Sequence, residues 1–209
     1  MIQHRRKDTL REKQAEYNIS VFDLEARHSH NPSFLFPSPT YFHFPPTMTL
    51  PNSPSSPHHF LAQLVGGWTG TSKLWLEPDK LASETPILGS IQLVLDGRFA
   101  LFLYQSSIDG EPQHGMFTFG FNTLLERYEA SWVDSFHNNT AIMFCTGSAN
   151  EDGFFVLGSY PDPTGGPDWN WRMEVSMLEP AHLLLKAYNI SPEGEEFQAM
   201  EFQLTRLQK

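Results

Sequence analysis

Apolar and polar residues alternate with a period of two over most of the chain from residue 67 to residue 207. The alternation predicts ten strands, at 67–77, 86–96, 98–108, 114–122, 127–135, 140–148, 153–160, 168–178, 182–189 and 196–207. Asp-Gly pairs at 96–97, 109–110 and 152–153 are typical of tight hairpin turns. Since no segment of helical period interrupts the series, βαβ units and a parallel sheet are excluded.

Ten consecutive strands joined by short turns favour an all-β fold, a closed antiparallel meander barrel, because closure leaves no open sheet edge. A β-sandwich of two packed sheets is the alternative. Ten strands enclose more space than eight, so the barrel prediction includes an interior cavity.

A short helix is predicted before the first strand, over residues 56–66. Ser56 suits the N-cap, Pro57 the first helical position, and Gly66 the residue just beyond the last turn. The apolar stripe of this helix consists of Phe60, Leu61, Leu64 and Val65. We expect the helix to plug one end of the barrel and Trp68, in the first strand, to pack on it.

The composition changes near residue 57. Residues 1–57 contain eight of the 16 prolines, no glycine and no tryptophan, and carry a charge of about +1. The rest of the chain has eight basic against 19 acidic residues. Residues 1–54 are therefore predicted to be a disordered Pro-rich arm, and 55–209 a single barrel domain. The alternative for the arm is a docking motif anchored by Phe34, Phe36, Phe42 and Phe44.

A net charge of −10 disfavours nucleic acid and anionic membranes as partners. The single cysteine excludes an internal disulfide. No apolar run approaches the ~18 residues of a membrane span, and the first residues are charged, so a cytoplasmic protein is expected. The histidines and the cysteine after residue 57 lack zinc-site spacing, and neither a metal nor a cofactor is predicted. The sequence leaves the oligomeric state open.

The stretches Gly66–Trp75, Leu95–Phe99 and Tyr128–Ser135 read GGWTGTSKLW, LDGRF and YEASWVDS. They resemble a bacterial family of unknown function with W-T-G and W-V-D-S motifs, over residues 58–207. The resemblance implies a relative of the calycin barrels, which include lipocalins, fatty-acid-binding proteins and haem-binding nitrobindins, and it implies no settled activity. The chain departs from the family pattern at Lys186, where an acidic residue is frequent, and at Met173, where an arginine is usual.

The fifth predicted strand places Tyr128, Ala130, Trp132 and Asp134 on one face, and we expect this face to point inward. A buried carboxylate needs hydrogen bonds or a shifted pKa. Asp134 is therefore a candidate general base or anchor for a polar ligand group. The alternative is a cap for the turn at 136–139.

Three further side chains are candidates on other grounds. His114 and His137 lie near strand ends, where a barrel mouth would be, and either could transfer protons near neutral pH or be a surface residue. Arg172 is expected on a solvent-facing side, paired with Glu174; the alternative is an inward clamp for a ligand carboxylate. Cys145 has apolar neighbours, which indicate a buried, unreactive thiol.

Aromatic residues recur on successive strands and are expected to line the interior; they are Phe102, Tyr104, Phe117, Phe119, Phe121, Tyr128, Trp132 and Phe144. This pattern predicts a protein that binds a small apolar or amphipathic molecule inside the barrel. The expected ligand contacts are Asp134, Trp132, Tyr128, Tyr104, His114, Phe119 and Arg172. An enzyme that uses the same pocket for acid–base chemistry, as an isomerase, dehydratase or hydrolase, is the alternative. Haem would need an inward axial histidine, which the sequence does not place.

Overall fold

The computed structural model describes residues 56–137, 140–162 and 164–208. Within these ranges one helix precedes ten strands: α1 (Pro57–Gln63), β1 (Gly66–Glu77), β2 (Lys80–Val94), β3 (Phe99–Ile108), β4 (Glu111–Asn122), β5 (Arg127–Asp134), β6 (Met143–Asn150), β7 (Gly153–Tyr160), β8 (Trp169–Glu179), β9 (His182–Ile190) and β10 (Glu196–Arg206). Each strand pairs antiparallel with its chain neighbours, and β10 pairs with β1. The predicted closed meander barrel of ten strands is therefore confirmed. The predicted arm at 1–54 lies outside the described residues.

The strand limits differ from the prediction at several places. β2 begins at Lys80 rather than at 86, and Pro86 lies within it, opposite Thr71 of β1. β4 begins at Glu111, three residues early, and β6 begins at Met143, three residues late. The early starts of β2 and β4 lengthen the barrel at one end. No helix within the described ranges is long and apolar enough to cross a membrane.

Helix α1 closes one end of the barrel. The Ser56 hydroxyl accepts a hydrogen bond from the backbone N–H of His59 at 3.1 Å, which is the predicted N-cap. Two side chains of the apolar stripe, Leu61 and Leu64, are completely buried. The predicted role of Gly66 is wrong: the C-cap is Leu64, and Gly66 already belongs to β1.

The last strand holds this helix in place through Arg206. Its guanidinium stacks over the Trp68 ring, 4.2 Å from the centroid, and donates hydrogen bonds to the carbonyls of Gln63 and Val65. The Trp68 indole in turn donates to the carbonyl of Leu64 at 2.9 Å. Trp68 thus packs on the helix, as the sequence indicated. The first strand, through Trp68, and the last strand, through Arg206, both contact the helix at this point.

The middle of the barrel is filled by aromatic side chains. Phe117 stacks on Phe102 at 6.1 Å, on Phe119 at 5.5 Å and on Trp132 at 5.3 Å between ring centroids. All four rings are at most 1% exposed. Aromatic side chains therefore fill the middle of the barrel, where the number of strands predicted an interior cavity. A ligand-binding surface has to lie nearer to one of the two barrel ends.

Phe144 is a correction to the predicted interior. Its side chain is 54% exposed on the outer face of β6, because Met143 and Cys145 are the inward residues there. Cys145 is 2% exposed, in agreement with the buried thiol that its neighbours indicated.

Candidate functional site

The barrel end opposite α1 gathers polar and aromatic side chains from several strands. In the register of β3, β4 and β5, Tyr104, Gly115 and Asp134 stand side by side. The Asp134 cluster, as we name it, consists of Tyr104, Gln113, Trp132, Asp134, His137 and Trp171.

The Asp134 side chain is fully buried at the end of β5. Its Oδ1 accepts hydrogen bonds from the backbone N–H groups of Phe136, at 3.2 Å, and His137, at 2.6 Å. This is the turn cap that the sequence analysis gave as one alternative. Its Oδ2 accepts from Gln113 Nε2 at 3.0 Å and lies 2.6 Å from His137 Nδ1. Four donors thus compensate the buried charge, and the same carboxylate fixes the orientation of His137.

His137 lies in the turn after β5, and its side chain is 16% exposed. Because Nδ1 is held by the Asp134 carboxylate, the neutral ring has its proton on Nδ1 and its lone pair on Nε2. Nε2 is buried and has no hydrogen-bond partner in the described part of the chain. The centroid of the His137 ring lies 5.1 Å from that of Trp132 and 4.9 Å from that of Phe136, so the imidazole packs against an aromatic wall.

Trp171 of β8 forms the other side of this wall. Its ring stacks on Trp132 at 5.1 Å and lies 6.3 Å from the His137 ring. The indole Nε1 is buried and, like His137 Nε2, has no partner among the residues described. A buried N–H without an acceptor costs about 1–3 kcal/mol, so native proteins rarely leave two unpartnered ring nitrogens together.

Tyr104 reaches the cluster because Gly115 separates it from Asp134. A Cβ at Gly115 would lie 2.1 Å from the Tyr104 ring, so only glycine lets the ring lean across β4. Burial, together with the charge of Asp134, raises the pKa of Tyr104 well above its ordinary value. The phenol therefore stays protonated at neutral pH and serves as a neutral hydrogen-bonding group.

Several sequence-predicted contacts lie elsewhere. Phe119 and Tyr128 face the interior, but they belong to the half near α1, where Tyr128 stacks on Phe154 at 4.3 Å. His114 is exposed on the outer face, and the expectation that it contacts an interior ligand is corrected accordingly. A cavity of about 350 Å³ runs from His114 to Asp134 between the ends of β4 and β5.

Arg172 also lies on the outer face. It donates a hydrogen bond from Nε to Glu196 at 2.9 Å and another to Glu174, and it stacks over Tyr188 at 4.2 Å. The bonds to Glu196 and Glu174 raise the pKa of the guanidinium. This is the solvent-facing pairing that the sequence favoured, so the inward clamp does not hold.

Residues 53–206 match the profile of a family described as "Protein of unknown function (DUF1579)". That span contains α1 and all ten strands. The chain belongs to the DUF1579 family. The sequence resemblance to a family of unknown function is thereby confirmed, and the structure has the closed barrel that this resemblance implied. No curated protein matches this DUF1579 chain in sequence.

Two solved structures resemble the DUF1579 chain. The S-type phycobiliprotein lyase CPES from Guillardia theta has a TM-score of 0.50 at 13% identity, over 73% of this chain and 93% of that one. Rv2717c from M. tuberculosis has a TM-score of 0.49 at 14% identity, over 74% of this chain and 99% of that one. At these identities the likeness concerns the fold alone.

Two members of the Asp134 cluster in this DUF1579 protein, Gln113 and Trp171, were not among the predicted site residues, and a third, His137, was a candidate but was not paired with Asp134. The alternation in the predicted strand 168–178 gives only the face on which Trp171 lies, and Gln113 precedes the predicted start of its strand. His137 was grouped with His114, although Asp134-Ser-Phe-His137 has the three-residue spacing at which an aspartate bonds a following turn. That spacing was the available signal for pairing the two.

A second cavity, of about 780 Å³, lies beside α1. It is lined by the apolar Phe60 and Met177, and by three acidic residues, Glu151, Asp152 and Glu179. Within the described ranges no three histidine, cysteine or acidic side chains are grouped so that they could hold a metal ion, and this includes the three acidic residues of this cavity.

Proposed function

We propose that this DUF1579 protein binds a small amphipathic molecule at the barrel end opposite α1. The polar group of the ligand meets His137 and Trp171, and its apolar part packs on the aromatic wall. The observation that carries the proposal is the pair of buried ring nitrogens, His137 Nε2 and Trp171 Nε1, for which the described chain supplies no partner. Small-molecule sites commonly combine an apolar lining with a few such orienting groups.

The cluster is also preorganised. Asp134 is held by four donors, His137 by Asp134, and Trp171 by stacking on Trp132. Groups that are already fixed lose little conformational freedom when a ligand binds, which favours affinity. The likeness in fold to a structure named a phycobiliprotein lyase is in keeping with small-molecule binding by such a barrel.

A second candidate function is acid–base catalysis on the bound molecule. The 2.6 Å contact between His137 Nδ1 and Asp134 Oδ2 leaves Nε2 available to take or give a proton. Isomerisation, dehydration and hydrolysis are the reaction types that such a pair serves. In a binding protein, changes at His137 alter affinity; in an enzyme they stop turnover while binding survives.

The proposal is tested on the full chain with two amphipathic probes, naphthol and naphthoate, by isothermal titration calorimetry. Trp171→Phe keeps an aromatic ring and removes the indole N–H. We expect it to weaken binding of at least one probe about three- to tenfold, as the loss of one hydrogen bond does. Trp75→Phe, on the outer face of β1, is the matched control and leaves affinity unchanged. Failure of both probes to bind, or equal affinity in all variants, contradicts the proposal.

Native mass spectrometry of freshly purified protein identifies a natural ligand directly. We expect a mass above that of the chain which disappears on denaturation. In the Trp171→Phe variant we expect the fraction of protein with bound ligand to be lower than in the Trp75→Phe control. Both variants are purified from the same host, so they meet the same ligands.

A further inference from the structure

We infer that the polar group of the ligand is an uncharged hydroxyl, as in an apolar alcohol or a phenol. The hydroxyl donates a hydrogen bond to His137 Nε2 and accepts one from Trp171 Nε1. This inference rests on the proposed function and specifies the ligand class for the same site.

The hydrogen-bonding character of His137 follows from its neighbours. Asp134 accepts from two backbone N–H groups and from Gln113, which only an ionised carboxylate does well at this degree of burial. Its Oδ2 therefore also accepts the Nδ1 proton, at 2.6 Å. The remaining nitrogen, Nε2, is an acceptor in the neutral ring and needs a donor from the ligand.

Trp171 imposes the opposite requirement. An indole nitrogen only donates, so Nε1 needs an acceptor from the ligand. The ring centroids of His137 and Trp171 lie 6.3 Å apart, so one small ligand can contact both rings. A hydroxyl is donor and acceptor at once, whereas a carboxylate only accepts and an ammonium only donates.

With a neutral His137 ring, the charge of the site also disfavours an anion. The Asp134 cluster contains a buried carboxylate and neither lysine nor arginine. The nearest arginine along β8, Arg172, is on the outer face and already bound to Glu174 and Glu196. A second negative charge beside Asp134 would be repelled strongly, since the surrounding aromatic rings screen poorly.

The experiment compares naphthol, naphthoate and methylnaphthalene, which share one apolar skeleton, by calorimetry of the full chain at neutral pH. We expect naphthol to bind at least tenfold more tightly than either analogue, because the analogues leave a buried nitrogen unpaired. In Trp171→Phe the preference for naphthol over methylnaphthalene shrinks, and in Trp75→Phe it persists.

The outcomes separate the two proposals. If naphthoate or methylnaphthalene binds as tightly as naphthol and Trp171→Phe weakens it, the hydroxyl inference fails and ligand binding at this end stands. If none of the three probes binds, both the hydroxyl inference and the proposed function fail. Because the comparison among the three probes uses the unaltered protein, poor folding of a variant cannot change the order of their affinities.

Discussion

The indole N–H of Trp132 donates a hydrogen bond to the hydroxyl of Tyr104 at 3.0 Å. The bond joins β5 to β3 across β4, and the two side chains are 1% and 4% exposed. It connects the aromatic stack in the middle of the barrel to the Asp134 cluster at its end. Trp132 therefore contributes both packing and the positioning of Tyr104.

Trp132→Ala is expected to destabilise the protein by about 3–5 kcal/mol, because it removes a buried aromatic side chain and leaves a cavity. Trp75→Ala is expected to cost less, since Trp75 is partly exposed on the outer face of β1. Urea unfolding of both variants measures the difference. Equal losses would contradict the placement of the two side chains on opposite faces.

Gly70→Ala tests the closure of the barrel. Gly70 faces Leu204 in the pairing of β1 with β10, and a Cβ there would lie 1.9 Å from the carbonyl oxygen of Gln203. Backbone atoms cannot move aside as a flexible side chain can, so we expect a loss of at least about 1–3 kcal/mol. Thr71→Ala, at the next position, is the control and should cost about 1 kcal/mol or less. Thermal unfolding that is the same for both variants would refute the close contact.

We expect His58 to make the free energy of unfolding depend on pH. It is 7% exposed in α1, its Nδ1 has no partner among the described residues, and burial lowers its pKa from the ordinary 6.5. Below about pH 6.5 the unfolded chain gains a proton that folded His58 takes up less readily. Its contribution is therefore present above that pH and is lost as the pH falls through the folded pKa.

The measurement is the free energy of unfolding between about pH 7.5 and about pH 5. We expect His58→Phe to lose less stability over this range than the unaltered protein. His59→Gln removes the neighbouring, less buried histidine and should behave like the unaltered protein. A loss with the same pH profile in His58→Phe would show that other groups cause it.

Cys145 is expected to be unreactive in the folded protein. Burial raises the pKa of its thiol to about 12, and the residue is 2% exposed. A chromogenic disulfide reagent at mildly alkaline pH should therefore react stoichiometrically in denaturant and only at the rate of unfolding without it. Because this is the single cysteine of the chain, all of the reaction that is measured comes from Cys145. Rapid reaction of the native protein would place the thiol at the surface.

The fold was readable from the sequence because side chains of a strand alternate by geometry alone. Trp132 and Asp134 were placed on the inner face of β5 by counting, and the structure places them there. The same count from Phe117 and Phe119 puts His114 outside, so its outward position was available from the sequence. The start of β2 could not be predicted from the sequence. Proline usually interrupts the hydrogen-bond ladder of a sheet, whereas Pro86 lies within β2.

Only part of the candidate site could be predicted from the sequence. Alternation tells which face a residue occupies, but the level at which distant strands meet depends on the stagger of the closed sheet. Asp134 and His137 are three residues apart and could be paired locally. Trp171 comes from β8, and its stacking on Trp132 is a product of that stagger. The unpartnered nitrogens therefore appear together only in the folded barrel.

The pairing of β1 with β10 has a consequence for how the protein is made. Each other pair of neighbouring strands is a hairpin that can form once its second strand has left the ribosome. The β1–β10 seam joins residues 66–77 to residues 196–206, so it waits for nearly the whole chain to be translated. Until then the nascent sheet exposes two unpaired edges, which are the surfaces that chaperones shield. Synthesis stalled before residue 196 leaves the barrel open and α1 without Arg206 to hold it.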